Sequence, residues 1–299
     1  MNTNRKWKKI VARGTGTSHS KWGKPCQDYG NYIEKKDIII GAVSDGAGSA
    51  QHSEEGSKLA VETEIDYLKR NYDHSSSLEN LLWDSFNQTT EKIREKAKEK
   101  KYELKDLSCT LLVFIATPHD IAAMQVGDGF IVVRFDDEED FRLLFDPQKG
   151  EYANETIFIT SHVQPKIDTW LQKPKFIFAS SDGLERVALE KQNQPVKGFF
   201  SHFEKSFCKG RDLDEEKKDI EEWINGEEVN KRTDDDKTIV VCYLDEPNNP
   251  ESQKTPPTQA TTPREITEER TNNHKFQRPP KNEKRPPKKN NLQYPSVSF

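Results

Sequence analysis

The chain has 299 residues, enough for one large domain with an appendage or for two small ones. Hydrophobic and charged residues each make up 32% of it, so part of the chain is too polar to join a core. No stretch approaches the ~18 continuous apolar residues of a membrane span, and the opening MNTNRKWKKIVARG lacks the apolar core of a secretion signal, so a cytoplasmic protein is expected.

In chain order, eight short runs carry the strand signature: DIIIGAVS, TLLVFIAT, IAAMQVGD, FIVVRF, FRLLF, TIFIT, KFIFAS and TIVVCYL. Each is rich in Ile, Val and Phe and bounded by Gly, Asp or Pro. After the first run, SEEGSKLAVETEIDYLKRNY spaces Leu59, Ile65 and Leu68 among charges as a helix does, and SLENLLWDSFNQTTEKIREKAKEK passes from an apolar to a charged face. A third helix is expected near LDEEKKDIEEWING, ahead of the last strand. Strands and helices do not alternate, which predicts antiparallel sheets packed together with helices outside them. Cys26, Cys109, Cys208 and Cys242 are far apart and form no CxxC pair, so they read as packed thiols and not as a zinc or disulfide framework.

After Leu244 the composition changes. Ten of the sixteen prolines fall from Pro247 onward, among Asn, Thr, Gln and Lys, so the expected division is a globular domain over 1–246 and a disordered, proline-rich, basic tail over 247–299. From Glu251 onward ten Lys or Arg face five Glu, which leaves the remainder of the chain ten charges negative. The tail admits three readings: a basic arm, a polyproline ligand for an adaptor domain in RPPKNEKRPPKK, or a solvated segment without a fixed partner. The acidic body argues against nucleic acid, whose phosphates require Lys and Arg.

The aspartates fall at the ends of the apolar runs. GAVSDGAGSA places Asp45, MQVGDGF Asp128 and FASSDGLE Asp182, each followed by glycine. RTDDDKTIVV sets Asp234, Asp235 and Asp236 before the last strand, and GKPCQDYG supplies Asp28 before the first. Asp-Gly between apolar runs is also a hairpin signal, and for Asp128 a direct pairing of IAAMQV with FIVVRF explains it equally well. For Asp45 and Asp182 the following residues are polar or helix-like, so a carboxylate at a strand end next to a glycine reads better as a hard oxygen ligand. Several such ends at one sheet edge form an acidic cleft suited to Mg²⁺ or Mn²⁺ in preference to zinc.

The ordered series GTSHSKWGKPCQD, VSDGAGSA, SCTLL, VGDGFIVV, GEYANETIFITS, SSDGLE and TDDDKTIVV resembles the PP2C family of phosphatases, especially its bacterial branch, from about Gly14 to Leu244. The resemblance implies an α+β fold, a four-layer α-β-β-α sandwich with a centre of two Mn²⁺ or Mg²⁺ ions at one edge. It implies that Asp45 bridges both ions, that the carbonyl of Gly46 binds one, and that Asp182 binds the first together with Asp235, if DDKT stands where the family has DNxT. Asp234 or Asp236 remains an alternative. Asp28 matches the acidic residue near the metal-bound waters, and Asp128 the residue that joins Asp182 at a third, weaker ion.

Such a metal pair activates water for direct in-line attack on phosphorus, which suits a chain with neither a CxxxxxR loop nor a GxSxG elbow. Two departures stand out. The eukaryotic branch carries a histidine two residues after the bridging aspartate, where this chain has Ala47, so a water, His19 or His52 must supply the proton. Where that branch has a phosphate-binding arginine stands Gly23, with Lys24 beside it as a point charge. GEYANETIFITS falls at the family's variable flap and reads as a substrate-facing loop or as an ordinary hairpin. The expected function is a protein serine/threonine phosphatase with a phosphorylated protein as substrate and a Ser/Thr kinase as its counterpart. The alternative is a pseudophosphatase or phosphoprotein-binding module acting through its tail.

Overall fold

In the computed structural model, residues 6–148, 156–161 and 163–246 are described, and all fall within one unit, Met1–Asn248. The proline-rich tail expected over 247–299 lies outside the described residues. Strand β1 (Lys6–Gly14) and the short helix α1 (Thr17–Lys21) precede a hairpin of β2 (Tyr29–Lys35) and β3 (Ile38–Ser44). Two long helices follow, α2 (Ser53–Asn71) and α3 (Leu78–Lys100). Next come β4 (Leu111–Ala116), β5 (Ile121–Val126), β6 (Phe130–Phe135), the two-residue β7 (Arg142–Leu143), β8 (Lys166–Trp170) and β9 (Pro174–Ser180). Helices α4 (Glu185–Ala188), α5 (Lys197–Cys208), α6 (Leu213–Ile224) and α7 (Glu227–Asn230) lead to the last strand, β10 (Lys237–Asp245).

The strands form two five-stranded antiparallel sheets, ordered β1-β10-β9-β6-β7 and β2-β3-β4-β5-β8. Three apolar layers show how they stack. One joins Ile38, Ile40, Val113 and Met124 to Val61, Leu68, Leu82 and Phe86 of α2 and α3. A second joins Ile39, Leu112, Phe114 and Ala123 of one sheet to Ile131, Ile177, Val240 and Cys242 of the other. A third packs Phe130, Phe176, Phe178 and Val241 against Phe200, Phe203, Phe207 and Ile220 of α5 and α6. Helices, sheet, sheet, helices is the four-layer α-β-β-α order. Alternating residues of β4 divide between two of these layers, as the period of two requires: Val113 faces the helices and Leu112 and Phe114 the other sheet. Both faces of the central strands are buried, hence their continuous apolar runs. Among the described residues no helix is long and apolar enough to cross a membrane.

Helix ends follow local chemistry. The Ser77 side chain accepts from the Asn80 amide at the start of α3, and Asp212 accepts from the amides of Asp214 and Glu215 at the start of α6.

The structure differs from the sequence expectations in several places, and β2 and β8 are strands outside the eight expected runs. KWKKIVARG is a nine-residue edge strand whose Trp7, Ile10 and Ala12 turn inward, although its lysines mask the alternation. KGFFSHFEKSFC is a helix, α5. IAAMQV and FIVVRF do not pair, because β5 and β6 belong to different sheets, so GDG carries the chain from one sheet to the other and the hairpin reading of Asp128 falls. TIFIT forms no strand; Thr156 makes an isolated bridge and Ile159 is buried against the α2–α3 layer with its amide on the Cys109 carbonyl.

Candidate active site

Strand register decides where the aspartates meet. In one sheet β2 opens just after Asp28 and β3 closes just before Asp45, and Tyr29 pairs with Ser44, so both carboxylates leave the sheet at the same edge. In the other sheet Phe130 and Ile239 both pair with Ser180, which brings the segments carrying Asp128, Asp182 and Asp235 to one edge as well. The two edges are tied by Ser181. Its hydroxyl donates to Asp28 Oδ2 at 2.7 Å and accepts from the Thr238 amide at 3.0 Å, so a single side chain spans the sheets beneath the cleft.

Asp45 is fixed through its backbone: its amide donates to Thr110 Oγ1 at 3.0 Å and its carbonyl accepts from the Thr110 amide at 2.8 Å. Gly46 bridges to Cys109, and a Cβ there would lie 2.6 Å from the Gln27 carbonyl oxygen, so only glycine lets the Asp45 loop close on the segment before Asp28. Gly183 is constrained more tightly, since a Cβ would stand 2.0 Å from the Asp236 carbonyl oxygen. The two glycines thus set how near the aspartate-bearing segments come.

The electrostatics are those of crowded, desolvated carboxylates. Burial, then the neighbouring charge of Asp236, pushes Asp28 up to about 7 even though Ser181 donates to it. Burial, then Asp128, Asp235 and Asp28, pushes Asp182 up to about 8. Asp45 is held well above the usual carboxylate range by burial and then by Asp28, Asp182 and Asp235, and Asp235 is raised chiefly by burial. Asp28 Oδ1 and Asp182 Oδ1 are buried with no N–H or hydroxyl donor, and both side chains lie within hydrogen-bonding reach of the Asp45 carboxyl. Buried anionic oxygens with no donor, repelling one another, are stabilised by a cation. Oxygen-only donors suit Mg²⁺ or Mn²⁺, so the residues present fit the expected ions. Among the described residues a tighter three-ligand group is His52, Glu54 and Glu55. There His52 stacks on Tyr102 at 3.7 Å and Glu55 already meets Lys96 and Tyr102, so its donors are engaged elsewhere. The aspartates are spread more widely than that group.

The three consecutive aspartates separate clearly. Asp234 is exposed. Asp236 is buried and its carboxylate is consumed: Oδ1 accepts from the Gly16 amide at 2.6 Å, and Oδ2 accepts from the Gln27 amide at 2.6 Å and meets His19 Nδ1 at 2.9 Å. Asp235 acts electrostatically on Asp28, Asp45 and Asp182. Asp128 lies beside Asp182, with Thr156 Oγ1 donating to its Oδ2 at 2.8 Å.

His19 and Lys24 sit on the loop from Gly16 to Gln27, whose two ends are pinned by Asp236. With Nδ1 on Asp236, the Nε2 of His19 faces Gly48 of the Asp45 loop, 3.9 Å from where a Cβ of Gly48 would stand. Lys24 is exposed beside Trp22, which is 74% exposed. His52 faces Tyr102 at the start of α2 instead. Of the expected flap, residues 149–155 lie outside the described residues; Thr160 Oγ1 meets Ser108 Oγ at 2.7 Å.

Three structural participants escape a sequence reading: Ser181, Asp236 in its anchoring role, and Lys237. Lys237 is fully buried, its amine donates to Asn230 Oδ1 at 2.8 Å, and burial lowers its pKa against the opposing pull of Asp236 and Asp235. The SSDG and DDDK strings contained all three, but only the register reveals what each touches.

A four-layer α-β-β-α sandwich thus gathers carboxylates from both of its sheets at one edge. The chain belongs to the protein phosphatase 2C family, which matches residues 15–225. It is 30% identical over 249 residues to the serine/threonine-protein phosphatase 3 of Escherichia coli, covering 79% of this chain and 98% of that protein. Among solved structures it resembles the serine/threonine phosphatase of S. agalactiae, with a TM-score of 0.61 at 17% identity over 80% of this chain and all of that one. It also resembles RsbX in complex with magnesium, with a TM-score of 0.50 at 14% identity over 82% of this chain and 98% of that one. At these identities the structural likenesses bear on the fold alone.

Proposed function

We propose that the protein is a cytoplasmic, divalent-cation-dependent phosphatase that hydrolyses phosphoserine and phosphothreonine in proteins phosphorylated by a Ser/Thr kinase. The observation that carries this reading is the convergence of Asp28, Asp45, Asp182 and Asp235, with buried oxygens of Asp28 and Asp182 left without donors. Family membership and the magnesium bound by RsbX support it.

In this reading Asp45, Asp182, Asp235 and the Gly46 carbonyl would hold two Mn²⁺ or Mg²⁺ ions, with Asp28 beside them, and Asp128 would join Asp182 in holding a third. When bound, the ions supply an activated water near neutral pH and neutralise charge on the phosphate. Ser181 orients Asp28 by donating to one of its oxygens, leaving the other free to hold a cation. With both ring nitrogens protonated, His19 would give its Nδ1–H to Asp236 and hold the Nε2 proton for the departing alkoxide, the position that Ala47 cannot fill. Lys24, exposed on the loop that carries His19, would offer a positive charge to the phosphate.

Release of phosphate from a phosphothreonine peptide in Mn²⁺ or Mg²⁺ tests the proposal. Asp45→Ala and Asp182→Ala should each lower kcat by a factor of 10³ or more, on the order expected for loss of electrostatic stabilisation of the transition state. Equal turnover in excess chelator overturns it.

A further inference from the structure

A groove of about 540 Å³ runs between α5 and α6, on the sheet face away from the other sheet. Its floor is aromatic: Phe199 lies 5.2 Å from Phe203 and 5.8 Å from Trp223, and Phe203 lies 5.9 Å from Trp223, ring centre to ring centre. Phe203 is buried, while Phe199 and Trp223 keep part of their rings open to solvent. The wall is basic. Lys205 and Lys209 are exposed, and among the described residues neither forms an ion pair. The groove's two carboxylates, Glu216 and Asp219, are both held by Arg211, at 2.9 and 2.7 Å. Three basic side chains against two acidic ones leave the lining one charge positive, with Lys205 and Lys209 as its unpaired cations among the described residues.

The groove also has a direction. The end of α6 packs on β1 next to the cleft, where a Cβ on Gly14 would stand 2.6 Å from Ile224 Cγ2, and Gly16 two residues on donates to Asp236. The far end of α5 reaches the opposite end of the same strands, the Phe207 carbonyl accepting from Lys8 Nζ at 2.8 Å and Cys208 Sγ donating to Tyr243 at 3.1 Å. Trp223 thus lies toward the aspartate edge and Lys209 away from it. The twelve residues of α6 span about 18 Å, the reach of about five extended residues.

We propose that this groove docks an acidic segment of the phosphoprotein substrate, remote from the phosphorylated residue, with one apolar or aromatic side chain against Phe199, Phe203 and Trp223 and acidic residues meeting Lys205 and Lys209. The inference rests on the phosphatase reading above for the word substrate, and on the groove itself for the docking. Charge selects the occupant. The chain's own residues from Glu251 onward are five charges positive, the wrong sign for Lys205 and Lys209, whereas an acidic peptide finds here an exception to a body ten charges negative. Aromatic floor and basic rim give the two parts of a docking site, an anchor in a desolvated pocket and a screened electrostatic border.

The test uses the full chain. Fluorescence anisotropy of a labelled peptide of one Trp followed by four Glu, free of phosphate and in chelator, reads the groove without catalysis. Expected is binding that weakens with salt and falls at least tenfold in the double variant K205E/K209E, whose side chains are exposed; Trp223→Leu should weaken it independently with little salt dependence. In Mn²⁺, kcat/KM for a phosphothreonine peptide bearing that acidic segment should exceed that for a neutral-tailed peptide by about tenfold, equal to about 1.4 kcal/mol, and the ratio should fall to one in K205E/K209E. No binding by the wild type, binding unaltered by the double variant, or a salt-sensitive dimer that the double variant abolishes overturns the proposal. Failure to hydrolyse either peptide while the acidic one still binds sinks the phosphatase reading and leaves the groove standing as a peptide site.

Discussion

Asp236 does more for the cleft than its exposure suggests. By accepting from the amides of Gly16 and Gln27 and from His19, it holds closed the loop that carries His19 and Lys24. Charge-assisted hydrogen bonds of this kind are strong, and the buried amides have no other acceptor at hand. The role given to His19 makes a specific expectation. A proton donor matters most when the leaving group is a poor one, so His19→Gln should lower kcat by about 10²-fold on a phosphothreonine peptide but far less on p-nitrophenyl phosphate, whose leaving group needs no proton. An equal loss on both esters would reduce His19 to a loop anchor.

The α2–α3 pair contains an anomaly of its own. Glu64 is fully buried on α2, both its carboxylate oxygens lack a hydrogen-bond partner, and the Thr89 hydroxyl on α3 lacks one too. Burial pushes Glu64 up to about 7, with Ser85 and Thr89 working in the opposite direction. A folded-state value above the unfolded one, near 4.3, means that the contribution is fully present below about pH 4.3 and is lost as pH rises to about 7. Glu64→Gln should therefore raise stability by only about 1 kcal/mol at pH 5 and by roughly 3–4 kcal/mol at pH 8. Denaturant melts at the two pH values decide it, and a variant less stable than the wild type at pH 8 contradicts the account. The other outer layer makes no such compromise: Phe178 is ringed by Phe130, Phe199, Phe200 and Phe203 at 5.2–6.2 Å. Phe178→Ala should cost ~3–5 kcal/mol, the usual figure for a large cavity in a packed core, measured by the same melts.

At the scale of the whole molecule, the cleft couples stability to cations. Asp28 at about 7 and Asp182 at about 8 stand above their unfolded values, so in the cation-free protein their contribution is present at low pH and lost as pH rises through 7 and 8. Binding Mn²⁺ to the folded state alone adds about 2.7 kcal/mol at a hundred times its Kd, a rise in Tm of roughly 5–10 °C for a domain of this size. The rise should be larger at pH 8.5 than at pH 6, and Asp45→Asn should abolish most of it. Calorimetry at two pH values with and without Mn²⁺ checks this apart from any assay of turnover. A rise that is indifferent to both pH and Asp45 would detach the cation from the cleft.

Much was fixed by the chain alone. Continuous apolar runs such as IIIGAVS, LLVFIA and KFIFAS are strands buried on both faces, and the Asp-Gly pairs closing them mark places where a carboxylate and a close backbone approach coincide. These are local facts, and local chemistry writes them into the residues. β1 and α5 escaped because lysines in KWKKIVARG and aromatics in KGFFSHFEKSFC blur the periodicity, and because each is stabilised by partners far away in sequence. Which sheet β5 and β6 enter, which of three aspartates anchors His19 and which faces the other carboxylates, and that Ser181 joins the sheets were decided only by tertiary structure. Each depends on register and layer packing between segments up to 220 residues apart, and no single segment contains that information.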